Sequence, residues 1–93
     1  MQNKAVNFLG ALDKLKNRIN SIPKDFTYRE CRSLLIKIGF VEYNKGATSG
    51  SRIRFYRESD KAVIDLHKPH PDGVLKHYMV KQIRDKLRET GDL

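Results

Sequence analysis

The chain lacks the features that mark membrane, secreted and disulfide-stabilised proteins. It has one cysteine, Cys31, so no internal disulfide can form, and a lone thiol is typical of a reducing cytoplasm. Apolar residues never run for more than a few positions, which excludes a transmembrane helix. A length of 93 residues holds one modest core and leaves little room for a deep cofactor site. We therefore expect a small cytoplasmic protein with no membrane partner and no cofactor.

Metal-site patterns are also missing. The histidines His67, His70 and His77 lie close in sequence, but a His-x-x-His pair in a corner held by two prolines is not a recognised zinc pattern, and no second cysteine could help. Cys31 falls on the inward side of a predicted helix, where a small core residue is more common than a nucleophile. We expect no metal site.

Positive charge is abundant. The chain has 19 Lys and Arg against 11 Asp and Glu, a net charge of +8, and such a basic domain favours a polyanionic partner such as RNA, DNA or an acidic protein. The segment 45–57 contains no acidic residue and four cations, which are Lys45, Arg52, Arg54 and Arg57. The positive field is therefore predicted to be concentrated in the middle of the chain.

Two helices are predicted before the middle of the chain. Apolar residues recur at helical spacing over residues 3–20, and their stripe is expected to pack on the rest of the domain or on a partner. Thr27 and Glu30 form a capping box that begins a second helix. Gly39 is a natural left-handed stop for that helix.

Three short strands and a last helix follow. The strands are predicted at 40–45, 51–57 and 62–68 and the helix at 78–90, from alternating apolar residues and the turn signals between them. The predicted fold is α+β: an α-β-β-β-α unit over residues 26–93 with a three-stranded antiparallel sheet. Residues 1–25 would add an N-terminal helix and its connector. Helices would cover one face of the sheet and leave the other open.

The second and third strands can be aligned from their turn. A polar turn at 58–61 pairs residue 57 with residue 62, which sets Arg54 opposite Asp65 and Arg52 opposite His67. Side chains alternate between the two faces of a strand. The apolar set Ile53, Phe55, Ile64 and Leu66 then faces the core, while the open face carries Arg52, Arg54, Tyr56, Asp65 and His67.

That open face has the groups needed to cut RNA. Histidine suits proton transfer near neutral pH, and the planar fork of arginine matches phosphate oxygens. We predict His67 as the catalytic residue, with His70 in the proline corner as the alternative. The predicted RNA-binding residues are Arg52, Arg54, Ser51, Lys45 and Lys68. An ordinary solvated sheet face with a cross-strand ion pair is the competing interpretation.

Residues 26–93 resemble the HicA family of bacterial toxins. The resemblance rests on Ile38-Gly39-Phe40, on the turn leading into Gly50-Ser51, on Arg52-Ile53-Arg54-Phe55 and on Leu66-His67-Lys68-Pro69-His70-Pro71. It implies a double-stranded-RNA-binding-like fold, ribosome-independent cleavage of messenger RNA and inhibition by a HicB-type antitoxin. The family pattern has a catalytic histidine directly after Gly-Ser, where this chain has Arg52. The predicted register offers His67 across the strand as a replacement.

Three function classes remain open from the sequence. The first is a metal-independent endoribonuclease toxin, the second a nucleic-acid-binding module without catalysis, and the third a basic protein-interaction domain. Cleavage of RNA in the presence of a chelator separates the first from the others, and the salt dependence of RNA affinity separates the second from the third.

Overall fold

The structure, a computed structural model, describes residues 10–43, 52–69 and 73–93. Over this part of the chain it has three helices and a three-stranded antiparallel sheet, which confirms the predicted α+β fold. The elements are α1 (Gly10–Asn20), α2 (Tyr28–Lys37), β1 (Val41–Tyr43), β2 (Arg52–Arg57), β3 (Ala62–His67) and α3 (His77–Glu89).

The capping box predicted for α2 is present. The Thr27 hydroxyl accepts a hydrogen bond from the Glu30 amide at 3.0 Å, and the Glu30 carboxylate accepts one from the Thr27 amide at 3.0 Å. The helix stop also forms as predicted, since Gly39 has a φ of 104°, which favours glycine. An added Cβ at Gly39 would lie 3.1 Å from Cδ of Arg57, so the Arg57 side chain would have to shift by a few tenths of an ångström to admit it.

The sheet has the order β1-β2-β3. Arg57 pairs with Ala62 and Arg52 with His67, so the predicted register of the β2–β3 hairpin is confirmed. The first strand begins at Val41 rather than at residue 40, because the Phe40 amide donates to the carbonyl of Leu35 at 2.9 Å and belongs to the end of α2.

The core lies between the inner face of the sheet and the helices. Residues predicted to face inward are buried: Ile53, Phe55, Ile64 and Leu66 are each at most 4% exposed. From the helices and loops the core receives Phe26, Cys31, Leu34, Leu35, Phe40, Leu75, Val80, Ile83 and Leu87. Each fully buried large apolar side chain contributes about 1.5–3 kcal/mol to stability, so this layer holds the open face in place.

The N-terminal helix packs on this same core. Ile19 is fully buried, and Leu12 and Leu15 lie against the core cluster, which confirms the predicted internal packing for the described part of the stripe. The Arg18 guanidinium binds Glu30 at 2.8 Å, and Arg88 donates to the Asn20 amide oxygen at 2.6 Å. Residues 1–9 of the predicted helix, including Phe8, lie outside the described residues.

None of the helices in the described ranges has the length and apolarity required to cross a bilayer.

Candidate functional site

The outward face of the sheet, called the open face below, is a small grid of side chains. Pairing between strands sets three rows across it: Val41, Tyr56 and Val63 in the first, Tyr43, Arg54 and Asp65 in the second, Arg52 and His67 in the third. The first row is apolar and aromatic, and the third is basic. All five residues that the sequence predicts on this face lie on it.

Arg54 and Asp65 form a two-bond ion pair in the middle row. Arg54 Nε lies 2.8 Å from Asp65 Oδ1, and Nη2 lies 3.0 Å from Oδ2. The hydrogen bond from Arg54 lowers the pKa of Asp65, against the opposing effect of burial, and the charge of Arg52 adds to the lowering. The two side chains are 55% and 45% exposed, so water and salt weaken the pair. A phosphate could therefore compete with Asp65 for this guanidinium.

Arg52 and His67 lie opposite each other in the third row, and both are exposed. Directly paired residues have Cβ atoms about 4.5–5.5 Å apart, so the imidazole and the guanidinium can reach one phosphodiester. Within the described residues Arg52 forms no hydrogen bond or ion pair that would neutralise it. His67 also lines a shallow cavity of about 250 Å³ together with two lysines, Lys68 and Lys76. An anion beside His67 would thus meet several cations.

Lys68 does not lie on the open face with Arg52 and Arg54. It follows His67 on β3 and therefore points toward the helices, where its ammonium is 5.3 Å from the ring centroid of Tyr28. The Tyr28 hydroxyl donates to Glu42 at 2.7 Å, and Glu42 also binds Arg32 at 2.7 Å. The site of Lys68 is accordingly the rim of the cavity beside His67 and not the open face.

Other predicted site residues fall outside the described part of the chain. These are Ser51, Lys45 and the alternative catalytic residue His70. His77, the first residue of α3, lies away from the open face, and its Nε2 donates to the carbonyl of Ile22 at 3.1 Å. His67 is therefore the histidine that the described residues bring beside Arg52 and Arg54.

Arg57 corrects the sequence-based view of the positive field. Its side chain is 10% exposed and binds Asp60 and Asp92, each at 2.8 Å, and the carbonyl of Ile38, also at 2.8 Å. Of the four cations between positions 45 and 57, Arg57 is therefore neutralised within the fold and is not available to a partner. The alternation of side chains along β2 could have revealed the burial of Arg57, since residue 57 lies on the same face of the strand as Ile53 and Phe55.

Two residues of β1 that lie on the open face were not identified from the sequence. Val41 and Tyr43 are 63% and 50% exposed on β1, and they extend the face beyond the β2–β3 hairpin. The same alternation would have found them if β1 had been aligned on β2. Its pairing could not be read from a turn, because the connection between the two strands is long.

Chemistry based on a thiol or a metal finds no support among the described residues. Cys31 is fully buried, and burial raises the pKa of its thiol to about 12, so it is not a thiolate nucleophile. No group of three or more His, Cys, Asp or Glu side chains that could hold a metal occurs within these residues.

Comparison with protein-family models gives one informative match. The family described as "HicA toxin of bacterial toxin-antitoxin" matches residues 28–91 of the 93-residue chain. A comparison with curated proteins and one with solved structures found no match. The matched range contains the open face and leaves out α1.

Proposed function

This chain belongs to the HicA toxin family, and from that premise we propose that it is an endoribonuclease toxin that cuts messenger RNA without a metal. The open face is the proposed active site, within a catalytic unit of residues 26–93. The observation that carries the proposal is the pairing of Arg52 with His67 on an exposed sheet face, inside the range that matches the family.

The proposed reaction is transesterification within RNA. The ribose 2′-oxygen forms a bond to the neighbouring phosphorus while the bond to the 5′-oxygen breaks, which leaves a cyclic 2′,3′-phosphate. His67 accepts the proton of the 2′-hydroxyl as general base, and water supplies a proton to the departing 5′-oxygen. DNA lacks the 2′-hydroxyl, so it would bind and survive.

The two arginines of the open face have electrostatic roles. Arg52, opposite His67, stabilises the negative charge that grows on the phosphorane oxygens. Arg54 binds a flanking phosphate, for which it exchanges its exposed pair with Asp65. The planar fork of each guanidinium suits phosphate oxygens.

The position of the histidine is the point at which this chain departs from its family. The family resemblance puts a catalytic histidine at position 52, and here that residue is Arg52. The confirmed register puts His67 directly across the strand from it, so an imidazole can approach nearly the same point from β3. The same departure favours a second candidate function, a module of this fold that binds RNA without cutting it.

Membership of a toxin–antitoxin family implies an antitoxin partner. We propose that the partner is of the HicB type and that both proteins act in the cytoplasm, where messenger RNA is found. An antitoxin that shields the open face from RNA would need acidic groups facing Arg52 and Arg54, since these are the exposed cations of that face.

The deciding experiment is incubation of the purified protein with RNA in EDTA. We expect cleavage by the wild type and a loss of about 10²–10⁴-fold in rate for His67→Ala, with the melting temperature nearly unchanged because His67 is exposed. His77→Ala is the matched control, because His77 binds the Ile22 carbonyl outside the site. Wild-type rates in His67→Ala, together with an inactive but folded His70→Ala, would assign the chemistry to His70 instead.

A double variant tests the idea that His67 replaces the family histidine. Arg52→His in the His67→Ala background returns an imidazole to the family position, and we expect it to recover part of the lost rate. No cleavage by any of these proteins, with RNA binding intact, would favour the binding module.

A further inference from the structure

We propose that the open face selects single-stranded RNA and binds it by stacking bases on Tyr43 and Tyr56. The choice of RNA as ligand rests on the proposed function, and the selection of single strands over duplexes goes beyond it. The double-stranded-RNA-binding-like fold that the family resemblance implies would, by itself, favour a duplex.

The first observation is the amount of aromatic and apolar surface on the open face. Tyr43 is 50% exposed and Val41 is 63% exposed. Of the four exposed large hydrophobic residues within the described ranges, these two share one face of one strand. Single exposed apolar residues are common on protein surfaces, but two neighbours beside the half-buried Tyr56 form a patch that indicates a binding surface.

The second observation is the arrangement of the tyrosines around an arginine. Tyr43 pairs directly with Arg54, and Tyr56 lies two residues further along β2 on the same side. Such diagonal neighbours are about 7–8 Å apart, so a chain of nucleotides can contact both rings in succession. Proteins that bind single strands combine basic groups with stacking platforms in this way.

The Tyr56 hydroxyl lies toward the hairpin turn. There it helps, after the larger effect of Lys61, to lower the pKa of the Glu58 carboxyl group. The polar end of Tyr56 is thus directed toward the turn, and its half-buried ring is part of the open face.

The order of aromatic and basic residues across the open face would orient a bound RNA strand. Tyr56 lies in the first row, Tyr43 and Arg54 share the middle row, and Arg52 and His67 form the row at the other end. Bases stacked on the two tyrosines would lead the next phosphodiester toward Arg52 and His67. The face thus positions the same strand that the proposed reaction cuts.

A duplex does not fit this surface. Base faces in a duplex are stacked on each other and are unavailable to a tyrosine ring, whereas unpaired bases can be splayed out. The six-residue strand β2 is only about 20 Å long, while domains that read RNA duplexes span about 16 base pairs. The open face has room for a few nucleotides.

The test is a binding measurement with RNA that cannot be cleaved. A short 2′-O-methyl RNA is compared as a single strand and as a duplex with its complement, by fluorescence anisotropy at fixed salt. We expect the wild type to bind the single strand at least about tenfold more tightly. Because stacking contributes about 1–3 kcal/mol per base, Tyr43→Ala should weaken single-strand binding roughly five- to 150-fold.

Matched variants separate stacking from other effects. Tyr43→Phe keeps the ring and should bind as the wild type does, and Tyr56→Ala should lose affinity as well. Ile36→Ala removes an exposed apolar side chain from α2, on the helix layer, and should leave the affinity unchanged. The chain has no tryptophan, so quenching of tyrosine fluorescence by the single strand gives an independent measure of stacking.

Equal affinity for single strand and duplex would overturn the proposal, and so would unchanged RNA binding by Tyr43→Ala. If Tyr43→Ala kept its RNA affinity but no longer bound the antitoxin, the surface around Tyr43 would be a protein-docking surface and the proposal would be wrong. A protein that never cuts RNA but shows the expected tyrosine dependence would support this inference while removing the proposed function, because the probe is uncleavable.

Discussion

Arg54 and Arg57 lie three residues apart on β2, and each holds an aspartate with two hydrogen bonds. Their surroundings differ because three residues along a strand lead to the opposite face. Arg57 is 10% exposed, binds a second aspartate and lies with its guanidinium 4.6 Å from the Phe40 ring centroid. Arg54 is 55% exposed, and Asp65 is the one ion-pair partner that it has among the described residues. One arginine is built into the fold, and the other is available to exchange its partner.

The difference shows how burial assigns a role to a charge. Removing one partner from a buried ion pair leaves an uncompensated charge and costs about 3–5 kcal/mol, whereas an exposed pair contributes about 0–1 kcal/mol. The charge of Arg57 is balanced by Asp60 and Asp92, so it adds little to the field outside the protein. The covered face of β2 therefore supplies stability, and the open face supplies the positive charge that an RNA would meet.

The largest effect is expected when α1, which packs on the core beneath the covered face, is removed. Deleting residues 1–22 exposes the core that Ile19 buries, together with the contacts of Leu12 and Leu15, and we expect a loss of about 4 kcal/mol in the free energy of unfolding. Urea denaturation of both chains measures the loss. A truncated chain as stable as the full one would mean that the stripe on α1 serves a partner rather than the core.

The next test compares the two arginines directly. Arg57→Ala should cost about 3 kcal/mol, since the largely buried Asp92 would lose its partner, while Arg54→Ala should leave the free energy of unfolding nearly unchanged because its pair is exposed. Urea denaturation of the two variants under identical conditions gives the comparison. Similar losses for both would show that burial does not set the roles of these side chains.

Lowering the pH should also affect the Arg57–Asp92 and Arg54–Asp65 pairs to different extents, with a smaller effect on stability. The hydrogen bond from Arg57 lowers the pKa of Asp92, and that from Arg54 lowers the pKa of Asp65. A carboxyl group with a lowered pKa in the folded state stabilises the fold above its unfolded pKa near 3.8. That contribution is lost as the pH falls through the folded value.

We therefore expect the wild type to lose stability as the pH falls below about 4. Asp92→Asn should remove part of that pH dependence, and Asp65→Asn should remove much less because its pair is exposed. Melting temperatures between pH 2 and pH 6 test this, and equal slopes for the two variants would contradict it.

The smallest expected effect concerns RNA affinity. Asp65→Asn frees Arg54 and removes a negative charge from the open face, so RNA binding should tighten about fivefold, equivalent to roughly 1 kcal/mol. Glu89→Gln on α3 changes the net charge equally but lies outside the site, and it should have a smaller effect. Weaker binding by Asp65→Asn would show that Asp65 helps to orient Arg54 for RNA.

Local signals predicted the fold well. The capping box of Thr27 and Glu30, the left-handed Gly39 and the polar turn before Ala62 each act over a few residues, so they can be recognised in a linear chain. The turn also fixes the register of the hairpin. That is why the pairing of Arg52 with His67 could be predicted from the order of residues alone.

The composition of the site was predicted less completely. Tyr43 was missed because β1 pairs with β2 across a long connection, for which no turn rule sets the register. Lys68 was grouped with the RNA-binding residues by charge alone, although its parity on β3 directs it toward Tyr28. Counting cations along the sequence also included Arg57, whose partner Asp92 is distant in the chain.

The sequence by itself determined the order of the elements, the hairpin register and the family, since these depend on short-range periodicity and on motifs kept in a fixed order. The tertiary structure alone decided that Asp92 neutralises Arg57, that Tyr43 shares the open face with Arg54, and where α1 packs. Those properties depend on contacts between residues far apart in the chain, and the burial that those contacts create determines whether a charge like that of Arg57 stabilises the fold or, like that of Arg52, remains open to a ligand.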